Sequence, residues 1–174
     1  MNARRLISRS VCQMEVEGFD PGPIPDDGIL VRNDFSAVSV GTETWNWLHG
    51  AKPGREPLFP RTTGYCNYGT VLAVGSQVSD VSPGDRVAGQ GNHASHSLLH
   101  KPYNRVPDDV PSPHAALLTM AAIALHGIRV AKVELGGGVA IVGLGTGGPV
   151  RSHPGQTGRS HAPHRHRSGR LSPG

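Results

Sequence analysis

A mainly β fold that gives way to the opening of an α/β unit is predicted by three observations. Short apolar, β-branched segments recur between Gly, Pro and Asp turns up to Gly89, as in a small barrel or sandwich. The first strong helix pattern follows Pro111-Ser112-Pro113. Beyond it, Val139-Ala140-Ile141-Val142 runs directly into a glycine cluster, like a buried parallel strand entering a nucleotide-binding turn.

Taken in order, Arg4 to Val16 is short, mixed and extended, and Pro21 to Gly28 (PGPIPDDG) is a loop, because its prolines fix φ and remove donors. Ile29 to Val40 reads as one strand that begins continuous, ends in alternation and stops at Gly41. Trp45 to Pro60 reads as loop. Gly69 to Gly75 is a strand, Ser76 to Pro83 a polar turn, and Gly84 to Gly89 a short strand closed by glycine. Ser112 is placed as N-cap, Pro113 as first helical residue, and His114 to Ala131 as the helix body.

Charge divides the chain. The formal net charge is +4, yet Arg151 to Gly174 holds Arg and His and not one Asp or Glu, while the body mixes both signs. The basic balance therefore describes the tail, whose Gly, Pro and Ser content is that of a disordered segment. This argues against nucleic acid as the partner, and three tail histidines without a scaffold argue against a metal site there. Two cysteines, Cys12 and Cys66, form neither a disulfide framework nor a four-cysteine zinc lobe, which fits a reducing cytoplasm. No apolar stretch reaches the length of a membrane span.

The glycines at Gly143, Gly145 and Gly148 follow the apolar run as G-x-G-x-x-G. In a dinucleotide fold these serve the tight turn, the approach of backbone N–H groups to pyrophosphate, and helix packing on the strand. A helix, a second strand and an acidic ribose contact should follow. Pro149, Pro154, Gly155, Gly158 and Pro163 stand there instead, so the expectation is an incomplete unit, broken by a frameshift near Thr146, with an out-of-frame tail. The expected domains are a barrel over 1–110, a linking helix and truncated nucleotide-binding start over 111–150, and the tail over 151–174.

Together, Gly41-Thr42-Glu43, Gly64 to Val71, Val74-Gly75, Gly84-Asp85-Arg86-Val87, the long helix and Gly143-x-Gly145 resemble the medium-chain dehydrogenase/reductase family over residues 1 to 148. The resemblance implies an N-terminal GroES-like β-barrel joined to a Rossmann domain, with NAD or NADP and a small alcohol or carbonyl substrate between them. The form Gly41-Thr42-Glu43 with Gly91-Asn92-His93-Ala94 is similar to bacterial zinc-binding alcohol dehydrogenase-like proteins.

The resemblance also places zinc ligands where Val40, Tyr65-Cys66 and, roughly, Met120 stand here; valine and methionine do not replace them, which argues against zinc. Cys66, His93, His96 and His100 are the residues left for any alternative metal site. Without a Lewis acid the chemistry falls to a proton relay. Thr42 holds the family's relay-hydroxyl position, with Tyr65 and His93 as further acid/base candidates. Their structural alternatives are a helix cap at Thr42, a packing aromatic at Tyr65 and a surface histidine at His93. The implied activity is an alcohol dehydrogenase-like oxidoreductase, truncated and inactive alone; the alternative is a non-enzymatic GroES-like module that binds a partner or self-associates.

Overall fold

The computed structural model describes residues 2–50 and 54–132. The glycine turn at Gly143, Gly145 and Gly148, the strand expected before it and the tail lie outside the described residues.

Two antiparallel sheets build the body. The first orders β2 (Gln13–Phe19), β1 (Ala3–Ser10) and β4 (Arg61–Thr62). The second orders β7 (His96–Leu99), β3 (Ile29–Ser36), β5 (Asn67–Val74), β6 (Arg86–Gly89) and β8 (Tyr103–Arg105). The apolar runs at Ile29 and Gly69 predicted β3 and β5, which pair from Ile29 with Val74 to Ser36 with Asn67. Ile29, Val31, Val71, Val81, Val87, Leu99 and Tyr103 form the main core, so the burial that stabilises the sheet comes from its three central strands and their neighbours. Gly69 is required there: a Cβ would lie 2.0 Å from the Arg32 carbonyl oxygen.

One short segment joins the two sheets. The Leu6 N–H donates to the His93 carbonyl (2.8 Å), Ser95 N–H to Arg4 (2.8 Å) and Asn33 N–H to Ser95 (2.9 Å), while Arg5 forms an isolated bridge with Ala94. Residues 93–95 thus close the seam between β1 and β3. Backbone groups there are satisfied across the sheets rather than along one strand.

Three expectations are corrected. The strand begun at Ile29 ends at Ser36, and Val40 to His49 is a helix, α1, with Ser39 at its N-cap. Gly41 therefore lies inside α1, Thr42 does not cap it, and the stretch read as loop from Trp45 begins as helix. The reason is that α1 buries none of its own side chains, so its apolar residues carry no inward-facing stripe. The helix after Pro113 is divided into α2 (Ser112–Ala115) and α3 (Leu118–Val130), and Pro111, not Ser112, is the N-cap. The division follows from docking. Ala115 and Ala116 pack with Tyr68, Ala88 and Val106 on the second sheet, and Leu117 leaves helical geometry at φ −83° and ψ 1°.

Arg86 fixes this junction. Its Nε donates to the Tyr68 hydroxyl (2.6 Å), and its two terminal nitrogens donate to the carbonyls of Pro107 (3.1 Å) and Val110 (2.7 Å). Among the described residues no helix is long and apolar enough to cross a membrane.

Candidate functional site

His93 stands on the seam, and its backbone is clamped on both sides. Its N–H donates to Thr63 O (2.7 Å), and its carbonyl accepts from Leu6. The backbone at Gly64 passes against its ring: a Cβ there would lie 2.7 Å from ring atoms and from the His93 nitrogen, and Gly64 has φ +87°. Only glycine meets both conditions.

The ring is held at both nitrogens. Nε2 lies 2.6 Å from Glu43 Oε2 and Nδ1 lies 2.8 Å from Ser36 Oγ. The His93 and Glu43 side chains are 10% and 12% exposed. Glu43 sits in the first turn of α1, and its other oxygen accepts the Ser39 N–H at 2.7 Å. An acid reaching back to the cap N–H satisfies one of the helix's orphan donors. A carboxylate only accepts, so Nε2 carries the proton; in the neutral ring Nδ1 is then the acceptor of the Ser36 hydroxyl.

Tyr65, half-buried, follows Gly64 and lines two clefts. The larger, about 380 Å³, is bounded by Arg5, Phe19, Tyr65, Gln90, Asn92 and His96. The Arg5 guanidinium is held by Glu17 at 2.7 Å and lies 4.9 Å from the Phe19 ring centroid. The smaller cleft, about 90 Å³, includes Glu43, Asn46 and Arg61 in its wall. Residues 64 and 65 thus line both openings, and the His93 ring packs against Gly64.

Of the residues singled out in the sequence, His93 is in a built site, Tyr65 is in the adjoining wall, and Thr42 is exposed on α1 beside Glu43. The hydrogen bonds of the His93 ring run to Ser36 and Glu43, not to Thr42 or Tyr65. Glu43 and Ser36 were not legible as site residues, because their contacts with His93 span 50 and 57 positions. The only local signal was an acid shortly after a serine at a helix start.

Cys66 is fully buried, and burial pushes its thiol above the ordinary range; Thr119 opposes this and Glu43 adds to it. Among the described residues no three His, Cys, Asp or Glu side chains come together as a metal site. His96 is hydrogen-bonded to Ser95 (3.0 Å) and His100 pairs with Asp27 (3.1 Å). Val40 is 64% exposed on α1 and Met120 is buried on α3, so the positions that the resemblance assigns to thiolates offer none.

No family model matches the chain. It is 26% identical over 147 residues to an uncharacterized zinc-type alcohol dehydrogenase-like protein of Escherichia coli, covering 78% of this chain and 41% of that one. It is 26% identical over 163 residues to Bos taurus sorbitol dehydrogenase, covering 74% and 46%. Among solved structures, the Escherichia coli quinone oxidoreductase complexed with NADPH matches with a TM-score of 0.63 at 19% identity, over 74% of this chain and 41% of that one. The chain spans less than half the length of the curated relatives it matches. The "zinc-type" name of the first relative runs against the expectation of no zinc. The chain is similar to zinc-type alcohol dehydrogenase-like proteins, and its described part has the fold of the N-terminal GroES-like domain of the medium-chain dehydrogenase/reductase structures it matches.

Proposed function

We propose that this chain carries the catalytic barrel of an alcohol dehydrogenase-like NAD(P)-dependent oxidoreductase acting on a small alcohol or carbonyl compound. The observation that carries the reading is the partly buried Glu43–His93 pair, whose Glu43 lines the smaller cleft together with Tyr65, a fixed acid/base couple in a similar fold. When bound, the nicotinamide supplies or accepts hydride. The chain's own part is to move a proton. Tyr65 lines the cleft that would receive the substrate, Thr42 offers a hydroxyl beside Glu43, and His93 holds a proton at Nε2 against the carboxylate. Gly143, Gly145 and Gly148 would receive the coenzyme pyrophosphate.

The residues do not fit a family-type zinc site. Both His93 nitrogens are engaged, Cys66 is buried as a thiol, and Val40 and Met120 replace ligands. No step in this reading passes through a metal. The reading extends to a reducing cytoplasmic setting for the two free cysteines and to the three-part division at 110 and 150.

The test is coenzyme fluorescence. NADH or NADPH should bind a form whose codons after Thr146 are read in the frame that supplies a helix, second strand and acid, and should not bind the chain as given. In the restored form His93→Gln should lower turnover by about 10²- to 10⁴-fold. Failure of both forms to bind coenzyme overturns the proposal. The second reading, a self-associating module, rests on exposed Val40, Trp47 and Leu48 on α1 and Ile123, Leu125 and Val130 on α3; a concentration-dependent dimer in sedimentation supports it.

A further inference from the structure

The line Ser36–His93–Glu43 has the make-up of an activated nucleophile: a hydroxyl within hydrogen-bond reach of an imidazole that a carboxylate orients from its far side. Ser36 is the last residue of β3, pairs with Asn67 and is exposed, whereas His93 and Glu43 are nearly enclosed. The reactive end of the line therefore faces outward while its electrostatic end is shielded. Burial strengthens the attraction of the carboxylate for an imidazolium formed at His93.

We propose that Ser36 is an acyl-accepting nucleophile, so that the His93–Glu43 couple also serves an esterase-like reaction that needs no hydride transfer. The ring is turned over relative to the usual triad, in which Nε2 faces the hydroxyl and Nδ1 the acid. The proton balance is the same. Ser36 Oγ attacks the acyl carbon of an ester, its proton passes to Nδ1, and Nε2–H stays against Glu43. The ester C–O bond breaks, and the leaving oxygen takes the Nδ1 proton. Water then attacks the acyl carbon and gives a proton to Nδ1; the bond from acyl carbon to Oγ breaks, Ser36 Oγ takes that proton back, and the acid is released. No oxidant, reductant or metal enters.

The substrate class is a small activated ester. The full chain is treated with a fluorophosphonate probe and with p-nitrophenyl acetate, and adducts are mapped by mass spectrometry. Ser36 should be labelled at least about tenfold faster than the exposed Ser79, with His93→Gln and Glu43→Gln each lowering that rate about tenfold or more. Ser36→Ala should abolish the adduct at that position, and Ser79→Ala should leave it unchanged. If His93→Gln does not fold, as judged by circular dichroism, the nearly isosteric Glu43→Gln decides. Labelling of Ser36 no faster than Ser79, or at an unchanged rate in a folded glutamine variant, overturns the proposal. Because no coenzyme is needed, this result stands apart from the oxidoreductase reading.

Discussion

Glu43 on α1 and His93 on the seam between the sheets are joined at 2.6 Å, and the same carboxylate caps the helix that carries it at 2.7 Å from the Ser39 nitrogen. Removing it strands two donors, one of them nearly enclosed. Glu43→Ala should destabilise the chain by about 1–3 kcal/mol in urea denaturation, the range for leaving a buried partner unsatisfied. Glu43→Gln keeps an acceptor for either donor and should lose less. Equal losses from both variants would show that charge alone carries the interaction.

Gly64 lines both clefts. With φ +87° and ring atoms of His93 2.7 Å from any Cβ, Gly64→Ala combines left-handed strain with a clash that backbone clamps prevent His93 from escaping. It should cost more than about 1–3 kcal/mol, the usual figure for a strained backbone site, read as a lowered midpoint in thermal unfolding. Gly22→Ala is the contrast: φ is +81°, but nothing lies within 4 Å, so only the conformational strain remains.

Arg86 reaches Tyr68, Pro107 and Val110 through three different nitrogens, and its guanidinium carbon lies 5.4 Å from the Tyr68 ring centroid. Lysine keeps the charge and loses the fork. Arg86→Lys should destabilise by roughly 1–2 kcal/mol in denaturant and loosen α2 first, seen as faster amide exchange at Ala115 and Ala116. Wild-type exchange there would contradict the clamp.

The two cysteines should separate by reactivity and by pH. Cys12 is exposed and Cys66 buried, so iodoacetamide should modify Cys12 in the folded chain and Cys66 only on unfolding. Burial raises the Cys66 thiol above its ordinary 9.0, so the folded state keeps a proton that the unfolded chain releases. Its contribution is fully present below pH 9.0 and is lost as pH rises toward the folded value. Tyr103, raised by burial and by its hydrogen bond to Asp80, adds a loss of the same sign above 10.0. Stability measured from pH 7 to 11 should fall, and Cys66→Ala should flatten the first part of that fall.

The central strands are legible because Ile29-Leu30-Val31 is an apolar run buried throughout and Val71 continues the core on the paired strand, with Leu72 turned out on the other face. β7, β8 and β4 have four, three and two residues, too few for any period to show, and their pairing is decided by distant partners. α1 is hidden in the sequence for a related reason: Val38 and Val40 continue the apolar run of β3, but the chain turns into a helix and both are exposed. His93 could be nominated by residue type alone. That Glu43 orients it and Ser36 completes it depends on a seam that local sequence does not encode.

The seam at residues 93–95 gives the site a particular mechanical character. Each strand sheet is internally paired, but the histidine sits where they meet, and its acid rides on a helix with no side chain in the core. The Glu43–His93 hydrogen bond therefore also helps to hold α1 against the barrel. A displacement of α1, by a molecule in the smaller cleft or a surface laid over Trp47 and Leu48, would therefore reach the His93 ring through Glu43.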